Sequence, residues 1–245
     1  MKYTILHLGS LKVAPLEMIM GLPDHEVLEA YPSGGNEMRI GMQGLIVETG
    51  NRIIFFDPGC ATFLNKSLAE TYDLQMDQTL TETVRAAGYR MDDITDVIYT
   101  HLHFDHGSGA FIRIPGGIVK AFPKARYIVS RKQLEYLETG PEDLGSYFHK
   151  LLRFAGELTY IEDWEEPGIR FDISHGHTPW MLVPVMDLGD RDLVFATDVI
   201  PMKLHLRHGA WSYYDHDKVL LHKERERLLN SLRPGYELVF FHEMN

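Results

Sequence analysis

The stretch Thr100–Gly109, THLHFDHGSG, places His101, His103, Asp105 and His106 together on one short segment. Imidazole and carboxylate donors at this density are what a divalent cation takes, here without any thiolate. His101 and His103 stand two apart, so an extended backbone points both the same way. Asp105 and His106 are adjacent and diverge, which gives two ligand groups aimed at two neighbouring positions. Gly107 and Gly109 are expected to let the backbone bend close to the ions. Neither position is complete, so distant parts of the chain must supply further ligands.

The elements around this motif suggest where those ligands come from. ITDVIYT is a β-branched, aromatic strand running straight into His101. GIRFDIS leads to His175-Gly176-His177, DRDLVFATD ends on Asp198, and YELVFFHEMN carries His242. Four strand ends each deliver an imidazole or a carboxylate, and strand ends at one edge can aim such groups into one place. Of the 13 histidines, His7, His25, His149 and His222 have no motif context and read as ordinary.

The remaining pattern predicts the frame. Gly44–Glu48 and Arg52–Asp57 read as a hairpin turning at Gly50-Asn51. MLVPVMDLGDRDLVFATD reads as a second hairpin, turning at Leu188–Asp190. Helices are expected over DQTLTETVRAAGY with Gly88 as its stop, over SRKQLEYLET with Ser130 as cap, and over EDLGSYFHKLLRFAG. DHDKVLLHKERERLLNSLRPG reads as a helix capped by Asp215 or Asp217, with Leu221, Leu228 and Leu232 on one face. Hairpins mixed with helices are not the strict alternation of a doubly wound sheet. The expectation is one α/β domain of the α+β type over 1–245: two mixed sheets against each other, helices outside.

Composition narrows the function. The chain has 245 residues, 44% of them apolar, and a formal net charge of −11. That acidic balance argues against nucleic acid, whose binding needs a basic face. No stretch approaches the roughly 20 apolar residues of a membrane span. The opening MKYTILHLGSLKVAP reads as a strand rather than a signal peptide, and the single cysteine, Cys60, permits no intrachain disulfide. Both suit a cytoplasmic setting. Cys60 itself reads as a small buried residue.

With these residues in view, the chain resembles the metallo-β-lactamase superfamily of hydrolases. HLHFDH at 101–106 matches its H-x-H-x-D-H motif, and GHTP at 176–179, FATD at 195–198 and FFH at 240–242 follow in the family's order. FFDPG at 55–59 resembles the early strand and turn, with Asp57 supporting rather than ligating. The resemblance implies a four-layer αββα sandwich and two zinc ions, although Mn²⁺, Fe²⁺ or Co²⁺ would also suit the donors. It assigns His101, His103 and His177 to one ion, Asp105, His106 and His242 to the other, and Asp198 to both.

The implied activity is hydrolysis by a metal-bridging hydroxide, with Asp105 also moving a proton. Within the superfamily the likeness is strongest to N-acyl-homoserine lactonases, so the expected substrate is a small ester or lactone. The same fold hosts phosphotriester and other ester hydrolases and a mononuclear-iron persulfide dioxygenase. Two departures stand out. Pro201 occupies the place, three residues after the bridging Asp, where those lactonases often carry a substrate-contacting Tyr. Trp180 replaces the usual Gly after HTP. Trp180, Tyr213 and Tyr214 are the candidate substrate contacts, the latter two from the loop KLHLRHGAWSYYDHD. Residues 108–160 are expected to form a lid or a homodimer contact.

Overall fold

The computed structural model of the protein describes residues 1–31, 37–63, 66–140 and 147–244. Its strands are β1 (Lys2–Val13), β2 (Met38–Glu48), β3 (Ile53–Phe56), β4 (Asp96–Ile98), β5 (Phe111–Ile114), β6 (Gly117–Lys120), β7 (Arg126–Val129), β8 (Leu158–Tyr160), β9 (Ile169–Ser174), β10 (Met181–Asp187), β11 (Asp192–Thr197) and β12 (Glu237–Phe240). Its α-helices are α1 (Pro15–Met18), α2 (Asp24–Ala30), α3 (Lys66–Thr71), α4 (Leu80–Ala86), α5 (Phe104–Gly107), α6 (Arg131–Thr139) and α7 (Lys218–Ser231).

Two mixed sheets carry the fold. The first runs β1-β2-β3-β4-β7-β8, antiparallel as far as β3 and parallel beyond it. The second runs β12-β11-β10-β9, with only the β12/β11 pair parallel. Phe55, Phe56 and Leu45 of the first sheet share a core with Leu182, Met186, Leu193 and Phe195 of the second. The Phe56 and Phe195 rings meet at 6.4 Å. Strand alternation turns Met181, Val183 and Val185 the other way, where with Val194 and Ala196 they meet Leu221 and Leu228 of α7. Each such side chain, buried in full, contributes about 1.5–3 kcal/mol. On the far side, α4 runs against β1 and buries Val84. This is the mixed α/β layering that the sequence predicts.

Local signals hold at the starts of α4, α6 and α7. Thr79 and Glu82 close a capping box on α4, Ser130 Oγ accepts from Gln133 N at 3.3 Å, and Asp217 Oδ1 accepts from Val219 N and Leu220 N at 2.9 and 3.0 Å. Asp217, then, and not Asp215, caps α7. The second hairpin turns as expected, with Leu188 N donating to Arg191 O at 3.0 Å. One expectation is corrected: the helix anticipated over 142–156 appears only as a short 3₁₀ segment, His149–Phe154, and its positions 142–146 lie outside the described residues. The apolar part of 108–122 forms a separate ribbon, β5-β6, that leaves Ile112, Ile114 and Val119 exposed. No helix among the described residues is long and apolar enough to cross a membrane.

Candidate metal centre

The four strand ends do converge. β4 stops at Ile98 and the chain continues through Thr100 to His101, while His103 leads into α5, which holds Asp105 and His106 on one turn. The extended reading therefore applies up to His103 and a helical turn takes over. On that turn the adjacent Asp105 and His106 reach the same neighbourhood, 3.9 Å apart. The two glycines that follow have a different reason from the one expected. A Cβ on Gly107 would lie 2.4 Å from Tyr99 Cδ1, and one on Gly109 would lie 2.4 Å from the Pro58 carbonyl oxygen. They let this segment pack on the core and on the turn after β3, and the ions play no part in the requirement.

The donor atoms form two groups. His103 Nδ1 lies 2.9 Å from His101 Nε2 and 3.1 Å from His177 Nε2. Asp105, His106 and His242 form the second group, with His242 Nε2 at 3.6 Å from Asp105 Oδ2. Asp198 stands between them. Its Oδ2 is 3.1 Å from His177 Nε2 and 3.3 Å from His106 Nε2, and its Oδ1 is 3.4 Å from His242 Nε2. Backbone on either side of the site is unusual: Asp57 and Thr197, the latter just before Asp198, both adopt positive φ, at 49° and 43°. Such conformations in non-glycine residues cluster where surrounding structure fixes a functional side chain.

Groups behind the donors set their tautomers. His106 Nδ1 donates to Asp57 Oδ2 at 2.9 Å, His177 Nδ1 to Asp215 Oδ1 at 2.9 Å, and His242 Nδ1 to the Gly41 carbonyl at 2.8 Å. Each outer bond commits the proton to Nδ1 and leaves the Nε2 lone pair facing inward, the form a cation needs. Asp57 also accepts from Thr100 N and Thr100 Oγ1, at 2.8 and 2.5 Å. Asp57 also lies close enough to His101 and His106 to form a further donor group, but with both oxygens accepting hydrogen bonds from the chain it suits a supporting role.

Electrostatics report the same need for positive charge. His106 Nε2 and Asp198 Oδ1 are buried with no hydrogen-bond partner among the described residues. Burial works against a charged His106, yet Asp198 and Asp105 outweigh it and raise that imidazole well above its ordinary range. Burial likewise opposes a charged His177, but Asp198 and Asp215 push it up to about 9. Burial would raise Asp198, and the imidazoles of His106, His242 and His177 instead hold it far below the usual carboxylate range. His101 and His103 are driven down, first by burial and then by neighbouring imidazoles. Nitrogen and oxygen lone pairs packed this closely fit one cation in each group, with Asp198 shared.

A cavity of about 130 Å³ opens on these donors. Leu11, Val13, Met18, Ile40, Phe104 and Pro201 give it an apolar wall, and Tyr72, Ser212 and Tyr214 complete it beside His103, Asp105, His177, Asp198 and His242. Of the expected substrate contacts, only Tyr214 lines it. Tyr213 is 67% exposed and faces the neighbouring groove. Trp180 lies outside the cavity, edge-on to His175 at 4.5 Å with the Lys132 ammonium over its ring. From the span 108–160, Tyr147 reaches the site: its ring lies 4.4 Å from His103 and its hydroxyl 2.7 Å from Thr178 Oγ1.

Several contributors escape a reading by motif. Asp215, taken as a helix cap, orients His177. Glu224 and Arg225 look like the polar face of α7 but are buried. Glu224 accepts from Ser174 Oγ, His175 N and Gly176 N at 2.6–3.0 Å, anchoring the turn that presents His177. Arg225 donates to the carbonyls of Val199 and Ala210 and so ties the start of the loop after Asp198 to its middle. The nearest sequence signal was the placement of Glu224 and Arg225 next to the buried Leu221 and Leu228 positions.

Comparison with known proteins agrees with this geometry. The sequence profile of the metallo-beta-lactamase superfamily matches residues 40–241. N-acyl homoserine lactonase AttM of Agrobacterium fabrum is 29% identical over 103 residues, which is 42% of this chain and 32% of that protein. The match thus spans about a third of that relative's length. Among solved structures, a probable metal-dependent hydrolase from Staphylococcus aureus superposes with a TM-score of 0.87 at 19% identity, covering 100% of this chain and 90% of its own. AidC, a dizinc quorum-quenching lactonase solved with the product N-hexanoyl-L-homoserine, superposes at 0.78 with 19% identity, covering 98% and 87%. These structural likenesses speak to the fold; the profile covers most of the chain, and the chain belongs to the metallo-β-lactamase superfamily.

Proposed function

We propose that this protein is a metal-dependent hydrolase of small esters or lactones that works with two zinc ions. His101, His103 and His177 would hold one ion, Asp105, His106 and His242 the other, and Asp198 both. The observation that carries this reading is the pair of complete donor groups joined by one carboxylate and opening on an apolar cavity. A cation pair of this kind supplies hydroxide near neutral pH and a Lewis acid for the substrate carbonyl.

The chain's own residues do the rest. Asp57, Asp215 and the Gly41 carbonyl keep three imidazoles in the binding tautomer. Asp105 faces the cavity and can pass a proton to the departing alkoxide. Leu11, Val13, Met18 and Ile40 exclude water and receive an apolar arm of the substrate. That AttM and AidC are lactonases supports a lactone or ester over other electrophiles as the substrate here. A mononuclear-iron dioxygenase would leave Asp105, His106 and His242 without employment. The test is a hydrolysis screen of the metal-loaded protein on acyl lactones, aryl esters and phosphotriesters. Turnover of lactones or esters, abolished by a chelator and restored by zinc, is expected; a protein active only on phosphotriesters, or inert on the whole panel, would overturn the assignment.

A further inference from the structure

The cavity over the metal centre has a neighbour. A second, more open groove of about 490 Å³ is lined by Lys12, Val13, Ala14, Glu17, Glu37, Thr71 and the tyrosines 72, 213 and 214. Three residues line both spaces: Val13, Tyr72 and Tyr214. They are the partition between the two.

The partition is held from several elements. The Tyr72 ring packs on Phe104 at 5.5 Å, one residue from Asp105. Tyr214 sits on the turn that Asp215 ties down by accepting from Ser212 N at 2.6 Å, and Tyr214 N donates to Ser212 Oγ at 3.2 Å. Tyr72 is half-buried and Tyr214 is 37% exposed, each at the boundary of the two spaces. Burial raises both, Tyr214 to about 12, so both stay neutral at physiological pH. The bar is therefore uncharged and continues the apolar lining of the inner cavity.

Resting on the proposed hydrolase activity, we propose that Tyr72 and Tyr214, with Val13, form a gate that sets how long a substrate arm the site accepts. An arm that fits the inner cavity ends against the phenol rings. A longer one must pass between them into the outer groove, and the closed bar opposes it. Shape discrimination of this kind is worth about 10-fold or more per misfitting group.

The test compares kcat/KM for p-nitrophenyl decanoate and butyrate on the zinc-loaded protein. Tyr214→Ala opens the bar and should raise the decanoate-to-butyrate ratio about tenfold or more. Val13→Phe narrows it and should lower that ratio. Tyr72→Phe keeps the ring and removes only the hydroxyl, so its ratio should stay near that of the unmodified protein. Tyr214→Leu replaces Tyr214→Ala if the smaller residue prevents folding, and circular dichroism with metal content confirms each variant. A ratio unmoved by both Tyr214 and Val13 changes overturns the gate while leaving the hydrolase assignment intact. If the unmodified protein hydrolyses neither ester, the same ratio is read with decanoyl- and butanoyl-homoserine lactone, and inertness on all four overturns both.

Discussion

The floor of the site and the outer edge of its wall are built differently. On the floor, His101, His106, His177, Asp198 and His242 are all at most 6% exposed, and three of the imidazoles are tied from behind by a carboxylate or carbonyl. On the wall, Tyr214 is 37% exposed and the lining comes from β1, the region around α3, and the loop after β11. Rigid strand ends hold what must not vary if a cation is to be bound. On the wall only Tyr72 and Tyr214 are not buried, and both sit on turns or loops, where the lining can vary with the substrate. Chemistry and selectivity are thus stored in different kinds of structure.

The largest way to break this contrast is at the shared carboxylate. Asp198→Ala removes the one side chain common to both groups and should lower hydrolysis by at least about a thousandfold, with loss of bound metal by elemental analysis. A variant that kept its metal would show the floor to be less interdependent than its geometry implies. Next comes the group behind the floor. Asp215→Ala frees His177 to rotate and to take the other tautomer, and should weaken metal binding about 10–100-fold in a competition titration with a chelator.

Arg225→Met acts on the wall. It strands two buried carbonyls, those of Val199 and Ala210, at a cost of about 2–4 kcal/mol in denaturant unfolding. KM should rise more than kcat falls, with metal content unchanged. A loss of metal instead would mean that the clamp supports floor and wall alike.

The smallest effect lies beside the wall, at His205. Burial first, then Arg225, lowers this imidazole to about 4, and its Nδ1 has no partner among the described residues. The unfolded chain takes up a proton near 6.5 while the folded one resists until about 4. Stability contributed by the neutral ring is therefore full above pH 6.5 and is lost as pH falls towards 4, by at most about 3 kcal/mol. His205→Gln should flatten the melting-temperature profile of the metal-loaded protein in that window; an unchanged slope would remove His205 as its source.

The same contrast explains what the sequence could reveal. The candidate donors were legible because cation chemistry restricts residue type and because most of them lie at or just beyond a strand of recognisable composition. The sheets were legible from β-branched and apolar runs bounded by turn residues; β10 is apolar up to Asp187 because one face meets the other sheet and the other meets α7. Asp215 was not, since a carboxylate ahead of a helix reads equally well as a cap, and only the fold shows that Asp217 takes that role. Glu224 and Arg225 sit on a helix of ordinary polar composition, and their burial depends on what packs over them. Tyr72, on the segment after α3, carries no motif; its place in the wall exists only once β1 and the loop after β11 are assembled. Trp180 shows the converse, a conspicuous residue next to the HTP motif that the backbone turns away from the cavity.

The central claim is that two complete cation positions share Asp198. The most direct measurement is the number of zinc ions bound per chain, by elemental analysis, in the unmodified protein and in His242→Ala. Two ions falling to one is the expected result, because His242 serves only the second position. One ion in the unmodified protein, or two retained in the variant, would contradict the account.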